Sequence, residues 1–183
     1  MASATQIVTG KVRFSFLHCW EPYTAIDNAD PRYSVVLLIP KSDKTTIQRL
    51  QAAAKAAREA WSEKNGKAVA PESEAVIPGL GTLHDGDGQR PNGDDFGPEC
   101  KGCWVLSASS KAAPKVVDEF KNEILDRGGI KSGDYGKVIL NAFAYRKGGN
   151  SGVSFGLNAI QLLEEGEALG SSVDVDDFDD EDF

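Results

Sequence analysis

The chain is short of several things, and each scarcity removes a class of function. Of its 183 residues only three are cysteine and two are histidine. An odd cysteine count without an export signal argues against a disulfide framework and for reduced thiols. The longest uninterrupted aliphatic run is VVLLI, residues 35–39, far short of the roughly 20 residues that a membrane-spanning helix needs. The polar start MASATQ does not read as a secretory signal, so the expected setting is cytoplasmic, away from any membrane. No P-loop, HExxH or nucleophile elbow occurs, and neither a catalytic residue nor a cofactor is expected.

Basic charge is also short, and a net charge of −8 looks wrong for a nucleic-acid binder until its distribution is examined. Residues 164–183 hold ten acids and no Lys or Arg, which leaves 18 acids against 20 bases in residues 1–163. The body is therefore mildly basic, at about +2, and the tail strongly acidic. With 40% hydrophobic residues the body can bury one core. The expected organisation is one domain over 1–163 followed by a disordered acidic tail over 164–183.

Residues 7–20 alternate, with Val8, Val12, Phe14, Phe16 and Trp20 on one face and Lys11, Arg13 and Ser15 on the other. That is the period of a half-buried strand. Residues 33–39 form a β-branched run ended by Pro40 and predict a second strand. Ser42 or Asp43 can cap an amphipathic helix in which Ile47, Leu50, Ala54, Ala57 and Trp61 recur at helical spacing until Asn65-Gly66. Residues 66–99, rich in Gly, Pro and Asp, predict a long connection with little regular structure. Residues 104–109 read as a third strand; residues 114–127 suit a helix or a strand equally. Residues 137–146 and 153–163 alternate and are joined by KGGNSG, a hairpin signal. Five strands and one helix make a mainly β fold, a five-stranded OB-like barrel being the natural closed form, although SH3-like and other small β architectures share the same periodicity.

On the fourth strand Lys137, Asn141, Phe143 and Tyr145 share one face with Ile139, opposite the apolar Val138, Leu140, Ala142 and Ala144. One face has a core to meet. The other combines rings and a cation, which suits single-stranded nucleic acid because every base has a π-face and every nucleotide a phosphate. Lys11, Arg13 and Arg146 extend that positive surface, and Trp20, Tyr23, Tyr33 and Trp104 lie near strand ends where a ring can reach a ligand. The bland alternative is ordinary cross-strand packing. Trp61 belongs by its spacing with the packed helix stripe.

The ending DVDDFDDEDF pairs dense negative charge with spaced aromatics. Such a segment can mimic nucleic acid over the protein's own basic surface, or seat its terminal Phe on a basic partner. Cys100-x-x-Cys103, with His18, Cys19 or His84, lacks a recognisable second half-site for zinc; Cys103 reads as a residue entering a strand. Asp85 and Asp87 resemble the start of a calcium loop, but the twelfth position is Phe96 where a Glu is needed.

Several segments together resemble a group of phage single-stranded DNA-binding proteins with an OB-fold: YSVVLLIPKSDK (33–44), LHDGDG (83–88), KGCWVLSASS (101–110), SGDYGKVILNAFAY (132–145) and GVSFGLNAIQLL (152–163). The resemblance implies protection of single-stranded DNA in phage replication, recombination or repair, in the host cytoplasm. It also implies a tail that contacts replication or recombination proteins through Asp176, Asp177, Phe178, Asp179, Asp180, Glu181, Asp182 and Phe183. Carried over by position, Tyr33, Trp104, Tyr135, Phe143 and Tyr145, with Arg13 and Lys137, become DNA contacts. KNEILD (121–126) and the Cys100–Cys103 pair depart from the family pattern. A homodimer is compatible with the sequence.

Two other classes compete. A metal-dependent nuclease would need Glu119 and Lys121 to project from one strand beside Asp85 or Asp87. A phage structural or interaction protein would use the same barrel and tail without DNA.

Overall fold

The computed structural model describes residues 4–24, 30–65, 83–89, 93–147 and 150–169. Within them lie eight strands and one α-helix: β1 (Gln6–Val8), β2 (Val12–Tyr23), β3 (Arg32–Pro40), α1 (Lys44–Asn65), β4 (Leu83–Asp85), β5 (Cys103–Ser110), β6 (Lys115–Val117), β7 (Tyr135–Lys147) and β8 (Asn150–Glu164). Five are the long strands expected from the alternation. They close on themselves in the order β7-β2-β3-β5-β8 and back to β7, with β1, β4 and β6 as short additions. Closure removes the open edges of a five-stranded sheet. Its seam is a single parallel bridge, Ser109 to Gly156.

The core follows from the period-2 pattern. Val12 and Phe14 from β2, Val35, Leu37 and Ile39 from β3, Leu106 and Ala108 from β5, Val138, Leu140 and Ala142 from β7, and Val153, Phe155 and Leu157 from β8 meet inside. Helix α1 closes the barrel with Ile47, Leu50, Ala53, Ala54 and Ala57, and full burial of Leu50 alone stabilises by about 1.5–3 kcal/mol. Asp43 caps α1, its carboxylate accepting from the Thr46 N–H at 3.1 Å, and the helix stops at Asn65, ahead of Gly66. Trp61, expected in the packed stripe, is only half-buried.

The first strand departs from its expected alternation in two places. The run breaks at Gly10 into β1 and β2, which places Ile7 rather than Val8 inside; Val8 is 43% exposed. Phe16, expected inward with Phe14, is instead 58% exposed with φ +45°. An extra residue in β2 between its pairings Ser15–Val36 and His18–Ser34 produces this bulge. Beyond it the inward positions become Leu17 and Cys19, and burial pushes the Cys19 thiol up to about 11. A left-handed conformation at a residue with a Cβ costs about 1–2 kcal/mol.

The ambiguous stretch 114–127 resolves into β6, paired in parallel with β8, then a tight turn. There the Asp118 carboxylate accepts from the Phe120 and Asn122 N–H groups, both at 2.9 Å. Part of the long connection is ordered as well: LHDGDG supplies β4, which pairs with β5. Residues 66–82 and 90–92 lie outside the described residues, as do 148–149 of the hairpin turn and 170–183 of the tail.

Candidate nucleic-acid interface

Because β7 places its even-numbered residues inside, its odd-numbered ones form an outward row. Lys137, Phe143 and Tyr145 are exposed, while Ile139 and Asn141 are half-buried. Along that row Lys137 and Tyr145 stand about 26 Å apart at 3.3 Å per residue, the reach of several nucleotides. The far end is an arm, since among the described residues β7 beyond Ala142 pairs only with β8. Tyr145 lies over Gly152 on the paired strand; a side chain there would crowd its ring, with a Cβ 3.0 Å from the phenol oxygen. The side chain of Arg146 lies outside the described residues.

At the other end the structure brings three expected contacts together. Arg13 and Tyr135 face each other across the β2–β7 pairing, with the guanidinium 5.3 Å from the ring centroid and the Lys11 ammonium 5.5 Å from it. These cations are engaged. Lys11 pairs with Glu164; Arg13 Nε donates to the Gly133 carbonyl at 3.0 Å and Nη2 to the Glu167 carbonyl at 2.8 Å. The segment after β8 thus crosses the basic cluster.

That crossing explains the SGDYG run. The buried Asp134 carboxylate accepts from the Lys131 ammonium at 2.6 Å, the Lys131 N–H at 2.9 Å and the Gly166 N–H at 3.0 Å. Leu169 N–H donates to the Ser132 carbonyl at 3.0 Å. Gly133 has φ +108°, and a Cβ there would collide with the Glu167 carbonyl. The Leu169 side chain then joins a second apolar cluster on the outside of β3 and β5, with Leu38, Val105, Cys100 and Phe96.

Tyr33 and Trp104 sit differently. Each has the parity of inward neighbours and is half-buried; Trp104 packs on the main core and carries the Lys41 ammonium 4.5 Å above its ring. Lys41 is held by Asp85 and Asp87, each at 2.7 Å. The pairing raises the lysine above its usual range and lowers both carboxylates. Trp20 also packs on the core.

The sequence reading missed Phe16 and the geometry beside it. His18 and Tyr23 stack in parallel at 4.3 Å, with Tyr23 51% exposed. Next to Phe16 lies a cavity of about 290 Å³ bounded by Ser15, Phe16, Leu17, His18, Glu99, Ser132 and Leu169. Alternation carries no signal for a bulge, so only the strand pairing exposes this group.

The competing chemistry finds no geometry. Glu119 and Lys121 lie in the turn after β6, Lys121 with φ +68°, and do not project from one strand, while Asp85 and Asp87 are committed to Lys41. Cys103 begins β5 as expected, and among the described residues no three His, Cys, Asp or Glu side chains converge on a metal position.

Comparison with known proteins bears on the family and the fold. The family described as Enterobacter phage Enc34, ssDNA-binding protein, matches residues 5–183. Protein p50 of Acyrthosiphon pisum secondary endosymbiont phage 1 is 29% identical over 179 residues, covering 96% of this chain and 93% of that protein. Among solved structures, the single-stranded DNA-binding protein of bacteriophage Enc34 in complex with ssDNA superposes with TM-score 0.74 at 22% identity, over 92% of this chain and 91% of that one. The gp2.5 single-stranded DNA-binding protein of bacteriophage T7 gives 0.58 at 15% identity, over 99% and 98%. Both are similar in fold.

Proposed function

Since the chain belongs to the Enc34 family of phage ssDNA-binding proteins, a family of binding proteins rather than enzymes, we propose that it binds single-stranded DNA without sequence preference. The observation that carries this reading is the outward row of β7, continued at its start by the Lys11–Arg13–Tyr135 cluster. Rings supply stacking, which every base accepts, and cations neutralise phosphate. Lys137, Phe143 and Tyr145 take part on the same row; the neighbouring Arg146 and the half-buried Tyr33 are further contacts, whereas Trp104, packed on the core under Lys41, is left out.

The acidic tail competes for this surface. Its first residues already occupy Lys11 through the Glu164 carboxylate and Arg13 through the Glu167 backbone carbonyl, and DNA must displace them. Once displaced, Asp176 to Phe183 become free to recruit a basic replication or recombination protein. The setting is phage DNA replication, recombination or repair in the host cytoplasm; no helix among the described residues is long and apolar enough to cross a membrane.

Fluorescence anisotropy of labelled oligo-dT and the matching duplex tests this, with the full chain and a truncation ending at Leu163, over a salt series with and without magnesium. The expected result is tighter, salt-sensitive binding to the single strand, strengthened by truncation, with the oligonucleotide intact in magnesium. Equal binding of single strand and duplex would overturn the reading, as would cleavage in magnesium.

A further inference from the structure

We infer that Phe16 is a base-stacking residue, and that the cavity beside it receives one nucleobase of the bound strand. The inference rests on the single-strand reading above and adds a contact on β2 to those on β7. Three observations carry it. The ring is 58% exposed in the middle of a barrel strand, although its sequence period is that of a core residue. Its backbone is held at φ +45°, a conformation that Gly adopts freely and an aromatic residue does not.

The bulge is also built rather than loose. Gly133 N–H donates to the Phe14 carbonyl at 2.7 Å, and Leu17 N–H donates to the Ser132 hydroxyl at 2.9 Å. Hydrogen bonds thus fix the chain on both sides of Phe16 while its side chain stays more than half exposed. A sequence under selection for stability alone would place Gly or a polar residue there. Strain kept at an exposed ring points to what the ring meets.

The surroundings suit a flat heteroaromatic ring. The cavity is open beside Phe16 and bounded by Ser15 and Ser132, which offer hydroxyls, and Glu99, which offers an acceptor for base N–H groups. The stacked His18–Tyr23 pair continues the aromatic surface along the same strand. Stacking of this kind tolerates any base.

The test compares wild type with Phe16→Gly and Phe16→Tyr in the full chain, by anisotropy with oligo-dT over a salt series, beside thermal melts. Phe16→Gly relieves the left-handed backbone, so its melting temperature is expected to equal or exceed that of wild type. Its affinity should fall roughly tenfold with an unchanged dependence on log salt, since a ring and no cation has been removed. Phe16→Tyr should restore affinity to within about twofold. Wild-type affinity in Phe16→Gly would overturn the inference and leave the single-strand reading intact, and so would failure of Phe16→Tyr to restore it. A wild-type chain that ignores oligo-dT would sink both.

Discussion

Arg13 and Phe16 are three residues apart on β2 and both point away from the core, yet the molecule treats them in opposite ways. Arg13 lies under the chain that follows β8, hydrogen-bonded to two carbonyls and placed over Tyr135. Phe16 stands more than half exposed on a backbone conformation it disfavours. The cation is kept occupied and the ring is kept open. On the proposed surface this division leaves Lys137 and the rings available and puts Lys11 and Arg13 under the segment after β8.

The strongest way to break the comparison is at Asp134, the buried carboxylate that fixes residues 164–169. Asp134→Ala should lower stability by about 2 kcal/mol, through loss of a charged hydrogen-bond acceptor with several donors. It should also strengthen binding to oligo-dT at low salt, because Arg13 is released. Urea melts and anisotropy on the same preparation read both signs; a less stable protein with unchanged affinity would mean that the crossing segment does not compete with DNA.

On the arm, Phe143→Ala and Tyr145→Ala should each cost about 1–3 kcal/mol of binding with no change in the salt dependence. Unaltered affinity in both would confine the strand's path to β2. Arg13→Gln should reduce the slope of log affinity against log salt by about 1. The reduction should be clearer in the chain ending at Leu163, where Glu164 and Glu167 no longer occupy the cluster, and equal slopes for variant and parent there would remove Arg13 from the interface.

The smallest effect concerns Lys41, which bridges Asp85 and Asp87 above Trp104. Both carboxylates are held below their ordinary 3.8, so their contribution is present above that pH and is lost as pH falls through the lowered values. The lysine is held above 10.5, so the same pairing fails as pH rises beyond its raised value. Lys41→Met should therefore melt slightly earlier than wild type at pH 7, by a margin that narrows as the pH falls toward 2. An identical deficit at both pH values would assign the loss to packing on Trp104 instead.

Much of this molecule could be read from its chain because burial repeats with the period of the backbone. Alternation in residues 137–146 separated Val138, Leu140 and Ala142 from Lys137, Phe143 and Tyr145, and the structure keeps that separation. Helical spacing found α1, with Asp43 at its start and Asn65 at its end, since capping and stopping depend on neighbouring residues. The five long strands follow from the same local rules, whereas their closure into a barrel depends on pairings between distant strands. Counting charges also located the acidic segment, because composition needs no fold.

What no local rule contains is the register between strands distant in the chain. The bulge that turns Phe16 outward exists because β2 must match β3 on both sides of an extra residue. Gly133 and Asp134 acquire their meaning only when residues 164–169 cross above them, more than thirty positions later. Short-range chemistry decided which faces are apolar and where charge accumulates. Tertiary pairing decided which cations are occupied and which ring is offered, because both depend on contacts between segments that the sequence keeps far apart.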